Sequence, residues 1–151
     1  MNDGRLLYDL QQRIGRLEAQ IETGRWEDWI PTITQSSSVT YTLTSGFARY
    51  VLSDRTITAR MRVGITGSGV AGNAIIIGGL PYDISDVTGD IGIARIVDTG
   101  SASYVGSCNV QNATSFQVVR DGGSSGIGIA PNFALASGDV IALLVAYEVS
   151  L

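Results

Sequence analysis

Three aspartates in the run P-Y-D-I-S-D-V-T-G-D, Asp83, Asp86 and Asp90, have the side chains best placed to do chemistry in this chain. Spaced carboxylates can hold a cation or act as acid and base on a glycosidic bond. The ligand order and terminal Glu of a calcium loop are missing, however, and an acid pair needs a deep cleft, so solvated turn carboxylates are expected. G-S-G-V-A-G at 67–72 superficially matches a phosphate-cradling loop. Such loops lead from a strand into a helix, whereas N-A-I-I-I follows here as a strand, so a hairpin connection is expected. Cys108 is the single cysteine, and the chain has no His. An intrachain disulfide, zinc sites built from Cys and His, and Ser-His-Asp or Cys-His catalysis are thereby excluded. The residues assemble no enzyme, no metal site and no cofactor site.

Recognition without chemistry is the remaining use for these groups. Tyr82, Asp83 and Asp86 in one loop, and Ser101, Ser103 and Tyr104 in another, combine aromatic faces with carboxylates and hydroxyls, which suits a sugar. Tyr82, Asp83, Asp86 and Tyr104 are the receptor-contact candidates, because binding residues concentrate on loops. Trp26 and Trp29 are also possible sugar platforms. Their place beside the end of a helix suits packing better, as wedges between a stalk and a head.

Composition narrows the partners. The formal charge is −4, with three Arg against four acidic residues over 1–24 and seven Arg against ten acidic residues beyond. Neither part is basic, which disfavours nucleic acid and anionic lipid. No apolar run reaches the roughly 20 residues that span a bilayer. The N-terminus is charged and amphipathic rather than signal-like, so the chain is expected to reach the outside of a cell only as part of a larger assembly.

The elements that must position these loops are a stalk (1–24) and a head (25–151). Leu7, Leu10, Ile14, Leu17 and Ile21 alternate spacings of three and four, the a and d positions of a heptad seam. Gly24 ends the helix. Arg13 at g and Glu18 at the following e can pair between parallel chains. The seam is narrower than a face that packs on the chain's own sheet, the competing reading, so self-association is expected. Ile at a with Leu at d favours two strands.

In the head, 38–44 and 55–66 alternate with period two, placing Val39, Tyr41 and Leu43 in one set and Ile57, Ala59, Met61, Val63 and Ile65 in the other. Further strands are expected near 73–78, 91–97, 102–108, 114–120 and 139–149. Short strands divided by Gly, Ser, Asp and Pro clusters predict a mainly β, antiparallel jelly-roll sandwich. Residues 73–79 and 140–147 are apolar on both faces. One face of 140–147 is expected to fill the core and the other a subunit interface. Ile141, Leu143, Val145 and Tyr147 are the expected axis set, with Val140, Ala142, Leu144 and Ala146 as the alternate. A central strand of a larger sandwich is the competing reading.

W-E-D-W-I-P-T-I-T-Q (26–35), F-A-R-Y (47–50), R-T-I-T (55–58), G-S-G-V-A-G-N-A-I-I-I-G-G-L-P (67–81) and F-A-L-A-S-G-D-V-I-A-L-L-V-A-Y-E (133–148) occur in that order. Together they resemble the C-terminal head domain of bacteriophage tail-fibre and minor tail proteins, over residues 26–148. That domain typically opens W-x-x-[WY]-x-P-T and closes with S-G-D-V and an apolar strand. The resemblance implies a homotrimeric jelly-roll, distantly like the C1q and tumour-necrosis-factor fold, that binds a host-surface receptor, with a glycan expected. It implies three chains where the heptad alone favours two. It further implies a virion-tail location and attachment to a tail or baseplate protein through the helix, with Arg5, Leu6 and Tyr8, off the seam, as attachment candidates. A structural virion connector without a receptor and a secreted C1q-like lectin are the other classes in play. The absence of a signal-like segment disfavours the lectin.

Overall fold

Alternating apolar and polar residues, broken by Gly- and Asp-rich turns, make ten strands after a single helix in a computed structural model that describes residues 3–150. The side chains of residues 19–23 lie outside that description, and with them the expected seam residue Ile21. Helix α1 (Asp3–Thr23) is followed by β1 (Glu27–Asp28), β2 (Thr32–Gln35), β3 (Ser37–Ser38), β4 (Tyr41–Ser53) and β5 (Thr56–Ile65). Then come β6 (Ile76–Gly78), β7 (Asp90–Asp98), β8 (Ala102–Asn112), β9 (Ser115–Arg120) and β10 (Val140–Glu148). No helix among the described residues is long and apolar enough to cross a membrane.

All ten strands form one antiparallel sheet in the order β1-β4-β5-β10-β7-β8-β9-β6-β2-β3. β3 lies at one end of that order and β4 next to the other, yet Ser38 and Tyr41 are three residues apart. Three residues reach about 11 Å at most. Eight strand spacings in a flat sheet would measure about 38 Å. The sheet therefore curls until its ends meet. Backbone bonds hold the closure: Val39 N donates to Ile33 O (2.8 Å), and Thr66 N to Thr40 O (2.9 Å).

Curling gives the sheet an inside. Ile57, Met61, Ile96, Phe116, Val118 and Ile141 are among the side chains that fill it. β5 behaves as its alternation predicts, with Ile57, Ala59, Met61, Val63 and Ile65 all buried. In 38–44 only part of the expected set turns inward. Val39 is buried and Tyr41 half-buried, but Leu43 is exposed. A register shift between Thr42 and Phe47 opposite β5 breaks the alternation there. At Gly46 a Cβ would overlap the Arg62 carbonyl, so the irregular segment lies against its neighbour through a residue with no side chain. The short strands β1, β2 and β3 carry too few residues to show a period and were not expected.

The Gly-rich stretch at 67–72 leads to a strand, as expected, but it is no hairpin: β5 and β6 are not neighbours, and it crosses from one half of the sheet to the other. Its anchor is Gln35, fully buried at the end of β2. The Gln35 amide donates to Asn73 O (3.1 Å) and Phe133 O (2.8 Å), and its carbonyl accepts from Leu135 N (2.9 Å). One side chain thus satisfies three backbone groups from two connections, which the buried backbone requires. A Cβ on Gly69 would overlap that amide, so the crossing loop can lie here only as glycine. Replacing Gln35 with Leu should leave those groups unpaired and lower stability by about 3 kcal/mol or more, read as a lower urea midpoint at unchanged slope.

Candidate functional site

The helix presents its seam to solvent. Leu7, Leu10, Ile14 and Leu17 are between 44% and 61% exposed, and every described side chain of α1 is exposed. The sheet's interior is already full of its own strands, so the stripe has no place in it. Arg13 and Glu18 are exposed too, and the one ion pair among the described residues is Arg49 with Asp28. Arg5, Leu6 and Tyr8, off the seam, are equally open.

A second apolar surface lies on the outer side of the sheet, and here one expectation is corrected. Ile141, Leu143, Val145 and Tyr147 are buried inside the chain's own core and cannot line an axis between copies. The pairing with β5 sets the direction: Ile141 stands opposite Val63, Leu143 opposite Met61, Val145 opposite Ala59 and Tyr147 opposite Ile57, all inward. The alternate set is therefore the outer one. Ala142 and Leu144 pair with Arg62 and Arg60 on one side and with Arg95 and Ile93 on the other. Leu144, Ile93 and Val105 are 43%, 63% and 60% exposed. Together with Phe47 and the arginines they border a shallow cavity of about 550 Å³. Such a clustered apolar patch marks an interaction surface, where scattered exposed apolar residues do not.

The receptor candidates do not converge. Tyr82 packs edge-on against Tyr50 at 6.2 Å, and its carbonyl accepts from the Tyr147 hydroxyl (3.1 Å). Asp83 is exposed beside it. Asp86 closes its own turn, accepting from Thr88 N (3.0 Å) and Thr88 Oγ1 (2.6 Å). Those two bonds hold its carboxyl below the usual range. Asp90 accepts from Asn109 Nδ2 (3.1 Å). Tyr104 leans on Phe133 at 5.4 Å, near the turn at the other end of β7, while Ser103 Oγ accepts from Arg95 Nε (2.7 Å). β7 has nine residues, about 30 Å of strand, so the two loops face opposite ends of the molecule and cannot form one site. Among the described residues no three of His, Cys, Asp and Glu gather at metal-binding distance.

The tryptophans part company. Trp29 is buried in the core, and its backbone N donates to Ala48 O (3.1 Å). Trp26 is 43% exposed rather than wedged, and its indole borders a second cavity with Phe47, Arg49 and Arg60. Neither that corner nor the arginine-rimmed patch was singled out from the sequence. The signal available was four arginines, Arg49, Arg60, Arg62 and Arg95, on strand patterns whose other face is apolar.

Comparison of the chain with protein-family models, with curated proteins and with solved structures finds no match.

Burial raises several proton affinities. The Cys108 thiol is pushed up to about 12 by burial, with the Asp90 charge adding to it. Tyr50 is pushed up to about 12 by burial, by its hydrogen bond to Glu27 and by the Glu27 and Tyr82 charges. Burial also raises Tyr41 and Tyr147, and the Tyr147 hydroxyl donates to the Tyr82 carbonyl, a bond that only the protonated phenol can make. The folded state holds all four protonated. Their contribution is therefore complete below the ordinary values of 9.0 for the thiol and 10.0 for the phenols, and is lost as pH climbs through the raised ones. Urea midpoints should hold steady from pH 7 to 9 and fall between about pH 10 and 12. Cys108 should react with a thiol reagent at pH 8 only after unfolding.

Proposed function

We propose that this chain is a short bacteriophage tail fibre: a homotrimer that recognises a host-surface receptor, a glycan, without catalysing any reaction. The heads are jelly-roll-like and sit on a parallel coiled-coil stalk made by α1. Arg5, Leu6 and Tyr8 reach a tail or baseplate protein. The observation that carries this reading is the exposed seam of α1, four apolar side chains in strict heptad register with no cover in their own chain. Covering them contributes on the order of 1 kcal/mol each. That is enough to register three helices but too little to hold so short a coiled coil alone.

The outer face of β10 supplies the rest. Ala142 and Leu144, with Ile93 and Val105 beside them, offer an apolar centre on the head where neighbouring copies can close around an axis. Arginine at the margin of such a contact suits an interface better than lysine does, being planar and weakly hydrated. The sequence resemblance to phage fibre heads supports the same assembly and supplies the receptor.

Light scattering on a sizing column tests the assembly: the intact protein should weigh three times 15.9 kDa. Leu10→Asp with Leu17→Asp should lower that mass while the head stays folded. Leu144→Asp should weaken the trimer and keep the fold, whereas Leu143→Asp should unfold the head, because Leu143 is core. A monomeric wild-type protein would sink the stalk, the axis and the fibre reading together. For the receptor, purified protein should compete with phage adsorption to a susceptible host, and a folded trimer that never competes would leave only a structural connector.

A further inference from the structure

Trp26 leaves part of its indole to solvent at the β1–β4 edge, on the same outer side of the sheet as the arginines. With Phe47, Arg49 and Arg60 it borders an open cavity of about 260 Å³, close to the lower end of small-ligand sites at about 300 Å³ and suited to one sugar ring. The guanidinium of Arg60 lies 5.3 Å from the centre of the Phe47 ring, which holds it in place, and it joins no ion pair among the described residues. Arg49 Nε bonds Asp28 Oδ1 at 3.1 Å, leaving the rest of its donor fork free to turn toward the cavity. Farther along the same face, Arg62 and Arg95 bond neutral oxygens, the Ser45 carbonyl (2.7 Å) and Ser103 Oγ (2.7 Å). This side of an otherwise acidic protein therefore carries four guanidiniums, and one carboxylate is paired with them.

Two kinds of group meet in that corner. The indole and phenyl rings offer flat apolar surfaces to the C–H face of a pyranose. The guanidiniums offer forked donors that match a carboxylate or phosphate. A neutral ligand would leave the Arg60 charge partly desolvated without a partner, which costs free energy. A second copy of the same cationic corner would set guanidinium against guanidinium. An anion is the complement that charge calls for. Phe47 and Arg60 also border the apolar patch around Leu144, so the corner lies at the margin of that patch, and Trp26 and Arg49 belong to the corner alone.

We propose that Trp26, Phe47, Arg49 and Arg60 form a subsite for one saccharide unit bearing a carboxylate or a phosphate. This rests on the receptor-binding reading and adds the ligand's charge and its place on the head. It puts recognition on the sheet's outer face beside the stalk rather than on the loops of 82–90 or 101–104.

The test is titration of the intact protein with glucuronate, glucose 6-phosphate and glucose, which share a ring and differ in charge. Binding is read by calorimetry and by tryptophan fluorescence, with buried Trp29 as a constant background. One or both charged sugars should bind at low salt and weaken as salt rises, the stronger of them marking carboxylate or phosphate as the natural group. Glucose should bind at least about tenfold more weakly, and Arg60→Gln should cost about the same factor, one charge-assisted hydrogen bond. Trp26→Ala should remove the fluorescence response, while Arg120→Gln should change nothing. Arg60 is exposed, so its variant should keep the wild-type urea midpoint. Equal binding of glucose, unchanged binding by Arg60→Gln, or no binding of either charged sugar would overturn the subsite. So would a Trp26 that iodide quenches in a stalk-disrupted monomer but not in the intact protein, because a second copy would then fill the corner. Should any of these occur while the protein still competes for adsorption, the subsite falls and the receptor reading stands.

Discussion

Only two residues, Val39 and Thr40, separate β3, at one end of the strand order, from β4, next to the other, and the rest of the head follows from that short link. A flat ten-stranded sheet cannot satisfy it, so the sheet curls and acquires an inside and an outside. Strands β5 and β10 then have their alternation read in the same sense, because neighbouring strands in register share their faces. Gln35 serves the same closure from within. Its amide ties the 73 region and the 133–135 region to the end of β2, where backbone groups would otherwise be buried without partners.

A closed interior also explains what is left outside. The core is complete without the helix, so α1 keeps its heptad stripe in solvent. It is also complete without the even-numbered residues of β10, so Ala142 and Leu144 face outward beside Ile93. Two apolar surfaces and a row of arginines are thus assigned to the exterior by one folding decision. A clustered apolar patch of this kind marks a surface for contact with other molecules. The carboxylates of Asp86 and Asp90 are occupied in local hydrogen bonds.

How much could be read in advance varied with how unambiguous each local pattern was. β5 alternates apolar with Thr and Arg, and its buried set was legible residue by residue. β10 is apolar on both faces, and its own composition holds no sign of which one turns inward. The information sits in β5, as Arg60 and Arg62, and reaches β10 only through the pairing of Leu144 with Arg60 and Ala142 with Arg62. Leu43 was misplaced because the register shift opposite β5 is a relation between two strands and leaves no period in one of them. Trp26 and Trp29, three residues apart and chemically alike, part because one reaches the interior and the other stops at the edge.

The sequence by itself determined the local elements: a heptad helix, then strands and turns, with no histidine and a single cysteine to restrict the chemistry. Those features depend on neighbours along the chain, where spacing converts directly into faces. Tertiary structure alone decided which face of an apolar strand is core, which loops share an end of the molecule, and that Trp26, Phe47, Arg49 and Arg60 border one cavity. Such relations join residues far apart in the chain, and they exist only once the sheet has curled and its register is set.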